Sequence, residues 1–183
     1  MARIDSRVLF VALVALVAAQ RLVELSVSRR NLERAVARGG VEYGGRLYPW
    51  MVATHAAFLA AGPVEVLLLE RPWIPALGVP MAALLLLAQA LRYWTIGALG
   101  GRWTTRVVLV PGDPLVVTGP YRWVRHPNYV AVAIEFIALP LVHAAWLTAA
   151  AFSLANAAVL WRRIRVEDAA LRGNGRIREV TRT

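Results

Sequence analysis

Five apolar runs, separated by polar and glycine-rich stretches, set the pattern of this chain. Residues 8–25, 50–69 and 73–94 each approach the roughly 20 mostly apolar residues that a helix needs to cross a bilayer, and they predict three spanning helices. A fourth run starts at or just before Tyr129 and ends near Val142; a fifth covers residues 144–161. The fourth is short if Pro127 sets its start. It then begins at the bilayer edge or pairs with the fifth as a tight hairpin through LPLVHA. Between runs one and two, residues 31–38 read as a short helix, followed by Gly39, Gly40, Gly44 and Gly45, which permit tight turns. The stretch TTRVVLVPGDPLVVTGPY predicts two extended runs about a turn at residues 111–114, giving a small cap of loops with one hairpin.

Composition supports this segmentation. Of 183 residues, 58% are apolar, which places the chain among membrane proteins and leaves no room for a second soluble domain. The expected fold is an all-α integral membrane protein of about five transmembrane helices, with a small cap and a C-terminal helical tail. One domain, residues 1–183, would divide into N-terminal helices and loops (1–118) and a catalytic, cofactor-binding region (119–183). The lack of cysteine excludes disulfides and cysteine-ligated metal centres, and no metal site is expected.

Charge then orients the bundle. Every one of the 21 basic residues is arginine. Five crossings put Arg29, Arg30, Arg34, Arg38, Arg46, Arg92, Arg102, Arg106, Arg122, Arg125, Arg162, Arg163, Arg165, Arg172, Arg176, Arg178 and Arg182 on one side. Arg3, Arg7 and Arg71 fall on the other, with Arg21 near a helix end. The positive-inside rule makes the long loops and the C-terminus cytoplasmic and the N-terminus external, in the inner membrane of a bacterium. The opening residues have the layout of a signal peptide, but the membranous chain that follows favours a retained helix. Positive-inside bias and anionic headgroups account for the basic loops without a nucleic-acid partner.

The chemistry gathers at GPYRWVRHPNY, where a polar loop meets the fourth run. Pro127 suits the first turn of a helix, whose free amides and positive dipole end then lie beside Arg122, Arg125 and His126. These donors can receive a carboxylate, while Tyr121 and Tyr129 offer faces for a purine ring or a sulfonium. The same residues also suit an interfacial anchor. After the fifth run, Glu167 and Asp168 return to the level of Arg125 and His126. Tyr48, Trp50 and His55 sit at the mouth of the second helix, where Tyr48 and His55 are candidate substrate contacts. Glu135, costly if ionised inside a membrane, has Asn156 as its candidate partner across the hairpin. Arg21 and Glu24 read as a stabilising pair three apart. His143, in the outer turn, reads as incidental.

Together Gly119-Pro120-Tyr121-Arg122, Arg125-His126-Pro127-Asn128-Tyr129, Asn156, Arg163-Ile164, Glu167-Asp168 and Leu171 resemble the isoprenylcysteine carboxyl methyltransferases and their bacterial relatives. That family shows two glutamates where Glu167 and Asp168 stand, then a phenylalanine-glycine and tyrosines that LRGNGRIREVTRT lacks. The N-terminal stretch SRRNLERAVARGGVEYGGRLYPWMVATHAAFL resembles the bacterial branch found beside type III polyketide synthases that make alkylresorcinols and alkylpyrones.

The resemblance implies an S-adenosyl-L-methionine-dependent O-methyltransferase. Tyr121, Arg125, His126, Tyr129 and Glu167 would line the cofactor site. Arg122, Arg125, His126, Glu167 and Asp168 would serve catalysis, and Tyr48, His55, Glu135 and Asn156 the acceptor. The acceptor would be a lipid or lipidated small molecule, with a phenolic or pyrone hydroxyl ahead of an isoprenylcysteine carboxylate. Partners would be membrane lipids and a lipid-producing polyketide synthase. An NADPH-dependent membrane reductase and a non-catalytic lipid-binding protein are the alternatives. No glycine-rich dinucleotide fingerprint follows a predicted strand.

Overall fold

The computed structural model describes residues 5–180, with side chains through residue 173. Arg3 and Arg182 of the charge tally lie outside the described residues, as do the side chains of Arg176 and Arg178 and most of the C-terminal stretch that lacks the family's aromatics. Five helices run in antiparallel order: α1 (Ser6–Ala37), α2 (Tyr48–Leu68), α3 (Pro75–Leu99), α4 (Pro127–Leu141) and α5 (Trp146–Val180). The first three are long and apolar enough to cross a membrane. Helix α4, with 15 residues, rises about 22 Å against a hydrocarbon core of about 30 Å. It nevertheless reaches the far end of the bundle, where His143 just beyond it contacts Ser6 Oγ at 3.1 Å. The fold is therefore an all-α membrane bundle. Large aliphatic groups such as Leu16, Leu86 and Leu154 face outward, while Glu24, Glu135 and Arg92 are buried within.

Local chemistry explains the element ends. The Asp5 carboxylate accepts from the Arg7 amide at 2.9 Å and caps α1. That helix continues through residues 31–37, so the expected separate short helix is its own C-terminal extension. It stops where Gly39 takes φ +79° and the Gly40 amide returns to the Ala35 carbonyl at 2.8 Å. A Cβ at Gly40 would stand 2.6 Å from that oxygen, which leaves only glycine room to turn. Pro75 and Pro127 each occupy the first turn of their helix, where the missing amide costs nothing.

The hairpin expected about residues 111–114 does not form. Strand β2 (Val107–Leu109) pairs antiparallel with β1 (Val41–Tyr43), from the loop between α1 and α2. Residues 115–117 remain outside any strand. The long-range partner wins because β1 docks on α5 as well, with Gly44 pressed against Val166. The turn is instead tethered to the end of α1, where Arg38 meets Asp113 at 2.6 Å.

Inside the bundle, Phe58 stacks on Phe136 at 4.0 Å amid Phe10, Val14, Val66, Leu85 and Leu139. Beside this core lies a polar seam. Glu24 accepts from Arg92 Nη2 and Nε, at 2.6 and 3.0 Å, and from Arg21 at 2.6 Å; Arg21 also meets Glu135, which Gln89 bonds at 3.0 Å. Arg92, counted by sequence among the loop arginines, is thus a buried α3 residue, because Glu24 offers the carboxylate that makes its burial tolerable. The expected Glu135–Asn156 pair does not form: Glu135 turns toward α1 and α3, and the buried Asn156 amide oxygen has no partner. Nor is His143 incidental. It is 1% exposed and lies 5.5 Å from the Phe10 ring, joining α1 to the α4–α5 turn.

Candidate functional site

A 3-10 turn at Gly119–Arg122 leads into α4, and Gly119 at φ +60° lets it press on Ala98 and Trp94 of α3. The turn leaves Tyr121 half-buried and fixes the approach to His126, whose carbonyl accepts from the Tyr129 amide at 3.1 Å. His126 and Tyr129 therefore share one face of the helix start, with their rings stacked at 5.4 Å. Helix α5 returns antiparallel, so its residues four apart, Arg163 and Glu167, arrive on that face together with Asp168.

Contacts knit these groups into one cluster. The Tyr129 hydroxyl donates to Glu167, and Arg163 Nε reaches the same hydroxyl at 3.5 Å. His126 Nε2 lies 3.1 Å from Asp168, and Nδ1 lies 3.7 Å from Glu167, an ion-pair rather than hydrogen-bond distance. Both ring nitrogens thus face carboxylates, an arrangement that holds the imidazolium. Its contact with Glu167, together with both acids' charge, outweighs burial and raises the His126 pKa above its ordinary value. Burial alone would raise Glu167; its contacts with His126 and Tyr129 and the nearby Arg163 charge prevail and lower it. Burial, helped by the Glu167 charge, raises the Tyr121 phenol.

Not every expected site residue joins the cluster. Arg122 and Arg125 are exposed; Arg122 leans over Trp123 at 5.6 Å, and Arg125 makes no hydrogen bond or ion pair among the described residues. His55 points into the bundle, bonding its own helix at the Met51 carbonyl at 2.8 Å and meeting Phe136 edge-on at 4.9 Å. Tyr48 lies beneath Arg106 at 4.0 Å, near the cluster's rim rather than within it. Glu135 belongs to the buried seam, and Asn156 stands alone.

Three contributors escaped the sequence reading of the site. Arg163, taken there as one of the tail arginines, is 7% exposed and bonds the Thr105 carbonyl at 2.9 Å. Thr105 is in turn held by Ser28, whose hydroxyl accepts from the Thr105 amide at 2.8 Å. The signal for Arg163 was its spacing of four from Glu167. For Ser28 it was the series Arg21, Glu24, Ser28, Asn31, a polar stripe at helical spacing along an apolar helix.

An imidazole, a phenol and two acids thus converge at one helix mouth of a membrane bundle, and comparison with known proteins gives the class to which such a bundle belongs. Residues 81–173, just over half of the chain, match the isoprenylcysteine carboxyl methyltransferase (ICMT) family. The chain belongs to that family. It is 40% identical over 164 residues to "Uncharacterized protein YpbQ" of Bacillus subtilis (strain 168), covering 89% of this chain and 96% of that one. A Haemophilus influenzae "Uncharacterized protein" is 28% identical over 158 residues, 86% of this chain and 91% of its own. No solved structure matches.

Proposed function

We propose that the protein is an S-adenosyl-L-methionine-dependent O-methyltransferase of amphipathic acceptors. The observation that carries this reading is the meeting of His126, Tyr129, Glu167 and Asp168 at the junction of α4 and α5. The donor set fits such a cofactor. Two carboxylates suit an ammonium or a ribose hydroxyl, and stacked aromatic rings suit a sulfonium. Asn128, next to Tyr129, also buries an amide oxygen that no donor reaches. When bound, the cofactor supplies an electrophilic methyl group. Tyr121, His126, Tyr129 and Glu167 hold it, and much of the acceleration lies in placing the acceptor oxygen in line.

The favoured acceptor is an alkylresorcinol or alkylpyrone hydroxyl, on the resemblance of the N-terminal half to the polyketide-lipid branch; an isoprenylcysteine carboxylate is the second. A phenol must lose a proton, and the base is the Glu167 or Asp168 carboxylate, or His126 above its raised pKa, whereas a carboxylate needs no base. Residues 119–183 form the cofactor-binding part of one functional unit, facing the cytoplasm of a bacterial inner membrane. The arginines at the site end, against Arg7 and Arg71 at the other, support that orientation.

Calorimetry of the detergent-purified chain should show S-adenosylmethionine binding that His126→Ala and Tyr129→Phe weaken, with labelled methyl transferred to a dodecylresorcinol. Binding of NADPH without response to adenosylmethionine would reassign the chain to reductases. Transfer to a prenylcysteine alone would replace the phenolic acceptor. Reporter fusions after Gly45, Asp113 and Thr183 should read inside and one after Pro75 outside; an external C-terminus overturns the orientation.

A further inference from the structure

Arg163 is a buried cation without an acid of its own. Among the described residues no carboxylate lies within ion-pair distance of it. Its guanidinium rests on the Thr105 carbonyl, the Met51 thioether at 2.6 Å and the Tyr129 hydroxyl. Arg92, equally buried, is gripped by Glu24 instead. Its direct acceptors are all neutral, and the charge of Glu167 reaches it only across the shared Tyr129 hydroxyl, which leaves the guanidinium able to take a further anion.

Beside Arg163 a pocket opens between the β1–β2 ribbon, the start of α2 and α5, lined by Tyr43, Leu47, Tyr48, Arg106 and Val166. Arg106 is paired with Glu42 at 2.7 Å, so the lining of Arg106, Arg163 and Glu42 keeps one positive charge in excess. Trp50, two residues beyond Tyr48, is 71% exposed, and tryptophan favours the headgroup level of a bilayer. Aromatic faces, an aliphatic wall and an excess cation at that depth suit the acidic head of an amphiphile whose tail stays in lipid.

We propose that this pocket receives the ionised oxygen of the methyl acceptor, with Arg163 as its counter-ion and Tyr43, Tyr48 and Arg106 as the wall that selects the head group. The proposal rests on the methyltransferase reading above. Arg163 touches Tyr129, so one side chain joins this pocket to the donor cluster. Tyr43 and Tyr48 precede residue 81, where the family match begins, which puts acceptor selection on a part of the chain that the family pattern does not fix. An ionised acceptor oxygen forms the new O–C bond with its lone pair while the C–S bond breaks. Oxyanion and sulfonium charges cancel, and no further reagent is needed.

Calorimetry on the full chain in detergent tests this with two matched pairs: N-acetyl-S-farnesylcysteine against its methyl ester, and dodecylresorcinol against its monomethyl ether across rising pH. In at least one pair the acidic member should bind about tenfold tighter, and Arg163→Gln should erase that preference. Tyr43→Ala and Arg106→Gln should weaken the acidic probe about fivefold and leave adenosylmethionine affinity within about twofold. These two wall variants carry the test if Arg163→Gln does not fold. The pair that discriminates identifies carboxylate or phenolate as the source of the anion. Equal binding within both pairs overturns the proposal. So does a loss of adenosylmethionine affinity on the wall substitutions with the acidic probe unaffected, which would assign the pocket to the donor. Acid-selective binding without any adenosylmethionine binding would keep the pocket and remove the transferase reading.

Discussion

The bundle holds two groups of charge that differ in how fully they are matched. In the seam of α1, α3 and α4, two arginines meet two glutamates, and the glutamines Gln20 and Gln89 complete the network. At the mouth of α4 and α5, His126 faces Glu167 and Asp168 directly, whereas Arg163 reaches Glu167 only through the Tyr129 phenol and otherwise rests on neutral acceptors. The first arrangement balances its own charges and fixes helices, although the buried Arg92 Nη1 has no hydrogen-bond partner among the described residues. The second is left open to a ligand, because a charge that is already fully paired has little to offer a newcomer.

The seam should be the most fragile point of the fold. Glu24→Ala strands Arg92 in the interior, leaves Arg21 with Glu135 alone, and should lower stability by about 3–5 kcal/mol, seen as loss of a monodisperse detergent-solubilised species. Glu24→Leu combined with Arg92→Leu should recover most of that loss; failure to recover would mean the seam does more than balance charge.

At the mouth, the effect should fall on binding. Glu167→Gln should weaken adenosylmethionine binding at least about tenfold, with a much smaller change in melting temperature than Glu24→Ala. A large loss of stability without a change in binding would erase the contrast between the two groups.

An intermediate effect is expected where α2 secures α5. The Glu65 carboxylate accepts from the Leu147 and Thr148 amides at 3.1 and 2.7 Å and from the Thr148 hydroxyl at 2.8 Å, with Arg71 beside it. It caps a helix from which it is remote in sequence. Glu65→Ala should cost about 1–2 kcal/mol, measured by thermal unfolding in detergent.

The mouth should also respond to pH. With its pKa raised, His126 stabilises the fold below its ordinary 6.5, and this is lost as pH rises through the raised value. With its pKa lowered, Glu167 stabilises above its ordinary 4.5, and this is lost as pH falls through the lowered value. The cluster's contribution should be greatest between about 4.5 and 6.5, and His126→Gln should lower melting temperature across that window and remove the fall that follows as pH rises from 6.5 through the raised value. The smallest effect belongs to Asn156→Leu. Its amide oxygen has no partner, so stability should shift by under about 1 kcal/mol or improve.

Hydrophobic run length was enough to read five helices, their antiparallel order and the Pro127 start of α4, because those features depend on local spacing and backbone chemistry. The motif residues His126, Tyr129, Glu167 and Asp168 were also legible, since a short apolar hairpin must return its two ends to one level. What composition could not reveal was pairing. Arg92 and Arg163 look like loop and tail charges along the chain, and only the docking of α1 and the return of α5 show one neutralised and the other unmatched. Strand β2 likewise found β1 across the bundle end rather than its own neighbour. Sequence by itself determined which segments are helical and where the polar groups sit along them. Tertiary structure alone decided which charges meet, because partners distant in the chain are chosen by packing and by the cost of leaving a buried charge uncompensated.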